Sequence, residues 1–310
     1  MMKKRWPCLL ALATVASVPS LPAQGAPERD AVVSSPSPVS RAGKIAFSSH
    51  QILTINPNGT DENRLTDTKR ENRSPAWSPD GTKIAFVCRG GYYAYARRQE
   101  ICVMDADGSD RVRLTFDDFG DDAPAWSPDG RWIVFTRNHG DASEYDTMNE
   151  IHKMRVDGSD EQQLTSNTQY EASPSWSPDG NRIAFYGHGL GRLDGGIYTM
   201  SPDGSEVEPF LDEIDEYEDA PDWSPDGTKL AYDAGWNVMV YDIASGVTSR
   251  LVHGIAPSWS PDGRWIVYQD FSERRQKDYL RKIRPGDGKV VTIHKGRGYV
   301  ADWGPAPQDD

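Results

Sequence analysis

The chain has 310 residues, which suits one large repeat domain or two small domains. Its 47 acidic and 34 basic residues give a formal net charge of −13, and such an acidic surface repels the phosphate backbone of nucleic acids. We therefore expect no nucleic-acid partner. A partner with a basic surface fits the charge, and solubility alone explains it equally well.

The first 25 residues have the pattern of a secretory signal peptide. Lys3, Lys4 and Arg5 precede an apolar run over residues 7–18, and Ala23 and Gly25 provide a small-residue cleavage site. The apolar run is shorter than the ~20 residues that a membrane span needs. We expect an exported protein, periplasmic or secreted after cleavage near Gly25, with no membrane span.

Two further segments are predicted to lie outside any folded domain. Residues 26–42 are rich in Ser and Pro and show no apolar periodicity, so they are predicted to form a disordered linker. Residues 306–310 are predicted to be a tail.

A repeated pentapeptide dominates the rest of the chain. WSPDG occurs five times, and a degenerate sixth copy surrounds the last tryptophan of the series, with successive tryptophans 36 to 50 residues apart. A period of this size is typical of propellers and solenoids. The repeat tryptophans are Trp77, Trp126, Trp176, Trp223, Trp259 and Trp303.

Each repeat contains the pattern of four short strands. A segment with Pro two residues before Trp leads into a tight Ser-Pro-Asp-Gly turn, and a β-rich run such as residues 83–86 follows. After a variable loop come a third strand such as residues 101–104, a second Gly turn and a fourth strand that ends in Leu-Thr, as at Leu114-Thr115. Four strands with two turns predict one antiparallel propeller blade.

The two ends of the repeat region complete each other. Residues 44–47 begin a repeat that lacks its first strand, and residues 299–303 supply a lone first strand. The sequence therefore predicts an all-β, six-bladed propeller over residues 43–305, with four-stranded antiparallel blades and a ring closed by both termini.

The tryptophans and cysteines of the repeats have structural interpretations. The tryptophans recur at one strand position, so we expect them to pack between blades and not to bind sugar. Cys88 and Cys102 are predicted to form a disulfide or to remain two free thiols, since the strand register is not determined by the sequence.

The repeats resemble those of the TolB-type propellers, whose consensus is close to P-x-WSPDG-x-x-IAF…DG…LT. The resemblance extends over residues 43–305 and implies an exported propeller that binds a partner at one rim of its channel. It favours a non-catalytic scaffold for a cell-envelope or extracellular protein, and a monomer is expected.

The topology separates two faces of the propeller. The turn face carries the Ser-Pro-Asp-Gly and Asp-Gly turns, and the variable-loop face carries the loops after the second and fourth strands, where binding residues are usually found. Its acidic, aromatic and histidine residues are predicted to bind the partner, the alternative being a solvated acidic surface. The candidate residues are Tyr92, Tyr93, Tyr95, Arg97, Asp121, Asp122, His139, Tyr170, Glu171, His188, Tyr217, Glu218 and Asp219.

Two other functions remain open at this point. The sequence contains no G-x-S-x-G, H-E-x-x-H or P-loop motif, and we assign no catalytic residue and no cofactor. A metal-assisted hydrolase or lyase would need a divalent cation in the channel, with His50, His139 and His188 as ligands. A propeller that binds carbohydrate or cell-wall polymer would use the tyrosine-rich rim. Asp222 and Asp302, which precede repeat tryptophans, are expected to form local hydrogen bonds and not to bind a metal.

Overall fold

The computed structural model describes residues 42–89, 99–139, 149–166, 170–188, 195–211, 220–272, 277–296 and 300–306. These residues form 24 β-strands arranged in six four-stranded antiparallel sheets. No helix in these ranges has the length and apolar content needed to cross a membrane. The predicted all-β, six-bladed propeller is confirmed.

The six sheets are numbered as blades in the order of the ring. Blade 1 contains β24 (Ala301–Pro305), β1 (Ala42–Ser48), β2 (Ile52–Ile55) and β3 (Asn63–Arg64). Blade 2 contains β4 (Asn72–Trp77), β5 (Lys83–Arg89), β6 (Gln99–Asp105) and β7 (Val112–Arg113). Blade 3 contains β8 (Gly120–Trp126), β9 (Trp132–Asn138), β10 (Asn149–Arg155) and β11 (Gln162–Gln163). Blade 4 contains β12 (Tyr170–Trp176), β13 (Ile183–His188), β14 (Gly196–Met200) and β15 (Glu208–Leu211). Blade 5 contains β16 (Asp222–Trp223), β17 (Lys229–Ala234), β18 (Asn237–Asp242) and β19 (Val247–His253). Blade 6 contains β20 (Ile255–Trp259), β21 (Ile266–Ser272), β22 (Lys277–Arg284) and β23 (Lys289–Lys295).

Blade 1 joins the two ends of the repeat region. In it β24 pairs with β1, with Ala46 opposite Asp302 and Phe47 opposite Ala301. The β24 strand also contacts β4 of blade 2 and β20 of blade 6. The predicted closure of the ring by both termini is therefore present in the structure.

The hydrophobic core lies between the blades. Six clusters of buried side chains each combine residues of two neighbouring blades; between blades 2 and 3, for example, Val87 and Ile101 pack with Phe135 and Met154. Each cluster holds one repeat tryptophan, so every repeat contributes a large apolar side chain at the same level of the ring. The tryptophans of the six clusters are Trp303, Trp126, Trp77, Trp259, Trp176 and Trp223.

A disulfide links the second and third strands of blade 2. Cys88 in β5 and Cys102 in β6 are bonded, with their Cα atoms 5.8 Å apart. In the strand register Cys88 lies opposite Glu100, and Cys102 lies opposite Phe86, so the bridge runs diagonally across the pair of strands.

Candidate functional site

On the turn face, the Ser and Asp side chains of the Ser-Pro-Asp-Gly turns form hydrogen bonds within their own turns. In blade 2, the Ser78 hydroxyl donates to Asp80 at 2.6 Å, and the N–H groups of Thr82 and Lys83 donate to Asp80 and Ser78 at 3.0 and 2.9 Å. Gly81 has a φ of +71°, which a side chain would disfavour. The Ser–Asp hydrogen bond recurs in the four other WSPDG turns. The side chains of this face therefore stabilise the fold.

The innermost strands line a central channel of about 530 Å³. Arg73 and Asp122 are among its lining residues, and their side chains form an ion pair of 2.6 Å that links β4 to β8. Asp122 also accepts a hydrogen bond from the Ser74 hydroxyl at 3.0 Å. Asp122 is thus only partly available to a partner.

Two further carboxylates in the channel wall join neighbouring blades. Asp222 of blade 5 accepts the N–H of Trp259 in blade 6 at 2.6 Å, and Asp302 of blade 1 accepts the N–H of Trp77 in blade 2 at 2.6 Å. Ser258 donates to Asp302 at 3.1 Å and accepts the N–H of Trp303 at 3.3 Å. The local hydrogen bonds expected for the two aspartates are present.

The channel environment favours the neutral form of these two carboxyl groups. Withdrawal from water, with a smaller contribution from the nearby Asp302, raises the pKa of Asp222 to about 8, although the Trp259 N–H stabilises its charged form. Withdrawal from water also raises the pKa of Asp302. Burial in the channel wall therefore favours the protonated form of both Asp222 and Asp302.

A carboxylate–arginine cluster lies between blades 2 and 3 near the variable-loop face; it comprises Glu100, Asp117, Asp121, Arg113 and Arg137. The Arg137 guanidinium donates to the two oxygens of Asp121 at 2.8 and 3.1 Å and lies 2.6 Å from Asp117. Arg113 pairs with Glu100. Burial raises the pKa of Glu100 to about 7, although Thr115 and Arg113 stabilise its charged form.

The Leu-Thr ending of the fourth strand has a defined role beside this cluster. Thr115 donates its hydroxyl to Glu100 at 2.8 Å and accepts the N–H of Ile101 at 3.0 Å. Thr66 makes the same two contacts in blade 1, with Gln51 at 2.8 Å and the N–H of Ile52 at 2.9 Å. In both blades the threonine therefore connects the segment after the fourth strand to the beginning of the third strand of the same blade.

Histidine and aromatic side chains extend the cluster toward the surface. The Nε2 atoms of His139 and His152 are 3.2 Å apart, and His152 Nδ1 lies 3.4 Å from Glu161, which also pairs with Arg137. The Phe119 ring is 4.7 Å from the His139 ring. Burial and then the neighbouring His152 lower the pKa of His139, so its neutral form is favoured.

The cluster contains three carboxylates at distances that a metal ion could bridge, and in the described ranges it is the one such group. One oxygen of each of Glu100, Asp117 and Asp121 lies within 4.8 Å of the others. Arg137, however, occupies both oxygens of Asp121 and one of Asp117, and Arg113 binds Glu100. Two arginines within the group would repel a divalent ion, so these residues fit a salt-bridge network and not a metal site.

The three histidines considered as metal ligands occupy separate positions. His50 is 3.9 Å from Glu71, His139 contacts His152, and His188 is an exposed residue at the end of β13. They form no shared group of ligating atoms in the part of the chain that the structure describes.

Burial removes two of the predicted partner-binding residues from the surface. Asp121 is 0% exposed and Glu171 is 1% exposed, because both begin innermost strands that are covered by neighbouring blades. The expectation that these two carboxylates form part of an exposed acidic rim is corrected accordingly. Tyr170 is half-buried and lies opposite His188 in the strand register. The candidates Tyr92, Tyr93, Tyr95, Arg97, Tyr217, Glu218 and Asp219 lie outside the described residues.

The structure adds aromatic residues that the sequence analysis did not select. Trp236 lies in the two-residue loop between β17 and β18, is 54% exposed, and stacks on Phe271 with a centroid separation of 6.2 Å. Phe116, next to the carboxylate–arginine cluster, is 73% exposed and lies beneath the Arg113 guanidinium. In the sequence, the feature that points to an exposed Trp236 is its place outside the WSPDG repeats, directly after Gly235 in a short hairpin.

Comparisons with known proteins identify the fold. No family model matches the sequence, and no curated protein matches it. TolB from Acinetobacter baumannii superposes with a TM-score of 0.70 at 21% identity, over 84% of this chain and 66% of that one. A putative TolB from Agrobacterium tumefaciens gives 0.64 at 18% identity, over 83% and 90% of the two chains. An oligogalacturonate lyase in complex with manganese gives 0.55 at 14% identity, over 77% and 72%.

The TolB structures share the fold of this chain, and the chain spans about two thirds of the Acinetobacter protein. At identities of 14% to 21% these similarities show the fold, and function has to be argued from the site. The chain is therefore a β-propeller of TolB-like fold.

Proposed function

We propose that the chain is a non-catalytic exported scaffold that binds a protein partner on its variable-loop face. The observation that carries the proposal is the difference between the two faces. The turn face repeats one hydrogen-bonded turn five times, with its Ser and Asp side chains bound within each turn. The variable-loop face instead exposes large aromatic side chains at Phe116, Phe119 and Trp236.

Exposed aromatic residues suit protein recognition. Tryptophan and tyrosine dominate the binding energy of many interfaces, and aromatic residues are enriched in interface centres. The net charge of −13 favours a partner with a basic surface through electrostatic attraction. The signal-like N-terminus supports export, and the likeness to TolB supports a binding scaffold in the cell envelope.

Partner capture tests the proposal. The mature chain would be immobilised and exposed to a cell-envelope extract, in parallel with a triple variant carrying Asp122→Lys, Glu218→Lys and Asp219→Lys. We expect the wild type to retain one protein at near-stoichiometric level and the variant to retain at least about tenfold less, equivalent to about 1.4 kcal/mol.

Glu208→Lys is the matched control for Asp122→Lys. Each substitution reverses the charge of a side chain that is at least partly exposed and pairs with an arginine. Glu208 pairs with Arg182, and Asp122 pairs with Arg73. Glu208 follows a turn of the opposite face, so its variant should retain the partner. Equal recovery by all proteins, or no retained protein on the wild type, would contradict the proposal.

A metal-dependent lyase is the second candidate function. It is favoured by the shared fold of a manganese-bound oligogalacturonate lyase and by the channel carboxylates Asp222 and Asp302. Metal analysis of the mature chain after incubation with Mn²⁺ or Ca²⁺ and desalting separates the candidates. The scaffold proposal expects no stoichiometric ion. An ion retained by the wild type and lost in Asp222→Asn would support the lyase and contradict the scaffold.

A further inference from the structure

We infer that Trp236 anchors the protein partner by stacking against one of its Lys or Arg side chains. This inference rests on the proposed function and assigns the contact residue and the chemistry that it recognises. Trp236 is on the variable-loop face, in the loop that joins the second and third strands of blade 5.

The backbone at Trp236 is held in a conformation that tryptophan disfavours. Gly235 and Trp236 have φ values of +52° and +66°, which form the left-handed pair of a tight hairpin turn. Glycine and asparagine adopt this region readily, whereas a bulky side chain does so at a cost in free energy. Such strain persists where the surrounding structure enforces it, and it is concentrated at functional sites.

The surrounding structure fixes both the backbone and the ring. The Trp236 carbonyl accepts the N–H of Gly254 at 2.9 Å. The side-chain amide of Asn237 donates to the Gly235 carbonyl at 2.8 Å, and its oxygen accepts from Arg250 at 2.7 Å. Phe271 covers one part of the indole, with an interplanar angle of 30°. The remaining exposed surface is therefore presented in one orientation, which reduces the entropy lost on binding.

Other tryptophans of this protein show which partner such a ring accepts. Lys153 and Arg155 lie 4.8 and 4.6 Å from the Trp132 ring centroid. Lys282 and Arg284 lie 4.5 and 5.0 Å from the Trp265 ring in the same way. Tryptophan faces attract cations at these distances through the ring quadrupole.

Trp236 differs from Trp132 and Trp265 in its neighbours. Among the contacts found in the described ranges, its ring partner is Phe271 and no Lys or Arg lies over it. The ring is 54% exposed on a chain with a net charge of −13, which attracts a basic segment before contact. At Trp132 and Trp265 the cation over the ring comes from this chain. At Trp236 a Lys or Arg of the partner would take that position.

Peptide selection provides the test. A phage-displayed library of random peptides would be selected on the mature wild-type chain and counter-selected on Trp236→Asn. Asparagine suits the left-handed turn and leaves the net charge unchanged, so folding and general electrostatic attraction are matched between the two proteins. We expect the retained peptides to share a Lys or Arg at one position. A synthetic peptide of this class should bind Trp236→Asn at least about tenfold more weakly and Trp236→Phe with a smaller loss.

Three controls make the outcome specific. Alanine at the shared basic position of the peptide should lower affinity for the wild type to the level seen with Trp236→Asn. Val247→Ala, which removes an exposed apolar side chain beside the β18–β19 turn on the opposite face of blade 5, should bind the peptide normally. The melting temperature of Trp236→Asn should equal or exceed that of the wild type, because the turn strain is relieved.

Several results would overturn the inference. These are retained peptides without a shared basic residue, equal affinity for wild type and Trp236→Asn, a neutral oligosaccharide whose binding requires Trp236, or self-association that Trp236→Asn abolishes. If the envelope partner is captured equally by Trp236→Asn, the inference fails and the proposed scaffold function stands. If no partner is captured by the wild type, the proposed function itself fails.

Discussion

Asp222 and Asp302 occupy a position at which the other four blades carry a small residue, namely Ala76, Ala125, Ser175 and Ser258. A carboxylate is long enough to reach the backbone N–H of the next blade, and both aspartates do so at 2.6 Å. The cost is the withdrawal of a charged group from water, which raises the pKa of each carboxyl. These residues therefore stabilise the ring most when they are protonated.

The pH dependence of stability follows from the pKa of Asp222. This pKa is raised from about 3.9 in the unfolded chain to about 8 in the folded one, so between these values the folded state holds a proton that the unfolded state has lost. The free energy of unfolding should fall as the pH rises through this window. Asp222→Asn keeps an oxygen for the Trp259 N–H and should reduce the fall, as measured by urea unfolding at pH 5 and pH 8. A pH dependence equal to that of the wild type would show that Asp222 does not titrate in this range.

Strands and turns are the elements that the sequence predicted best. The Ser-Pro-Asp-Gly turns and the alternation of β-rich runs determine strand order, since each turn has one compatible backbone geometry. The sequence did not predict the positive φ of Ser74, Ala123, Ser173, Ala220 and Ala256, each of which precedes a proline of an innermost strand. Residues before proline normally take extended conformations, and the bulged ladder of four of these five strands overrides that preference.

The candidate site was less predictable because its members come together across blades. Arg137 ends a second strand, Asp121 begins a first strand, and Asp117 and Glu161 lie in other segments, so no local spacing relates them. The acidic loop sequence predicted that Asp121 is exposed, but in the structure Asp121 is buried and pairs with Arg137. The sequence does not determine the exposure of Trp236, because that exposure depends on where the hairpin ends relative to Phe271.

The threonine that follows the fourth strand in blades 1, 2 and 3 allows a test of what holds that end of the blade in place. Thr115→Val removes the hydroxyl that serves both Glu100 and the Ile101 N–H, leaving two buried polar groups without this partner. We expect a loss of about 1–3 kcal/mol in the free energy of unfolding, measured by urea denaturation. Thr66→Val is the matched control, since its partner Gln51 is neutral and should be less costly to leave unsatisfied. A larger loss for Thr66→Val would contradict this account.

The six blades of the described residues form a ring whose closure depends on one strand. In blade 1, β24 pairs with β1 and holds Asp302, which reaches Trp77 of blade 2. Ser258 of blade 6 bonds to Asp302 and to the Trp303 N–H. Through β24, blade 1 is therefore hydrogen-bonded to both of its neighbours, blade 6 and blade 2.

Removal of residues 300–310 tests the closure of the ring. The deletion exposes the edge of β1 and removes buried Ala301 and Trp303 from the cluster between blades 6 and 1. We expect a loss of at least about 4 kcal/mol, seen as a lowered and broadened thermal transition by circular dichroism. Deletion of residues 307–310 alone is the control and should melt like the wild type. A near-wild-type transition for the longer deletion would mean that five and three-quarter blades are sufficient.

The pairing of β1 with β24 also determines the order in which the ring can be completed. Ser48 and Val300 hydrogen-bond across 252 residues of sequence, so β1 is synthesised long before the strand with which it pairs. Contacts of such long range form slowly, and until then β1 presents an open edge that other chains can pair with. Synthesis that stops shortly before residue 300 would therefore yield a propeller with an unpaired β1 edge and a lasting tendency to aggregate.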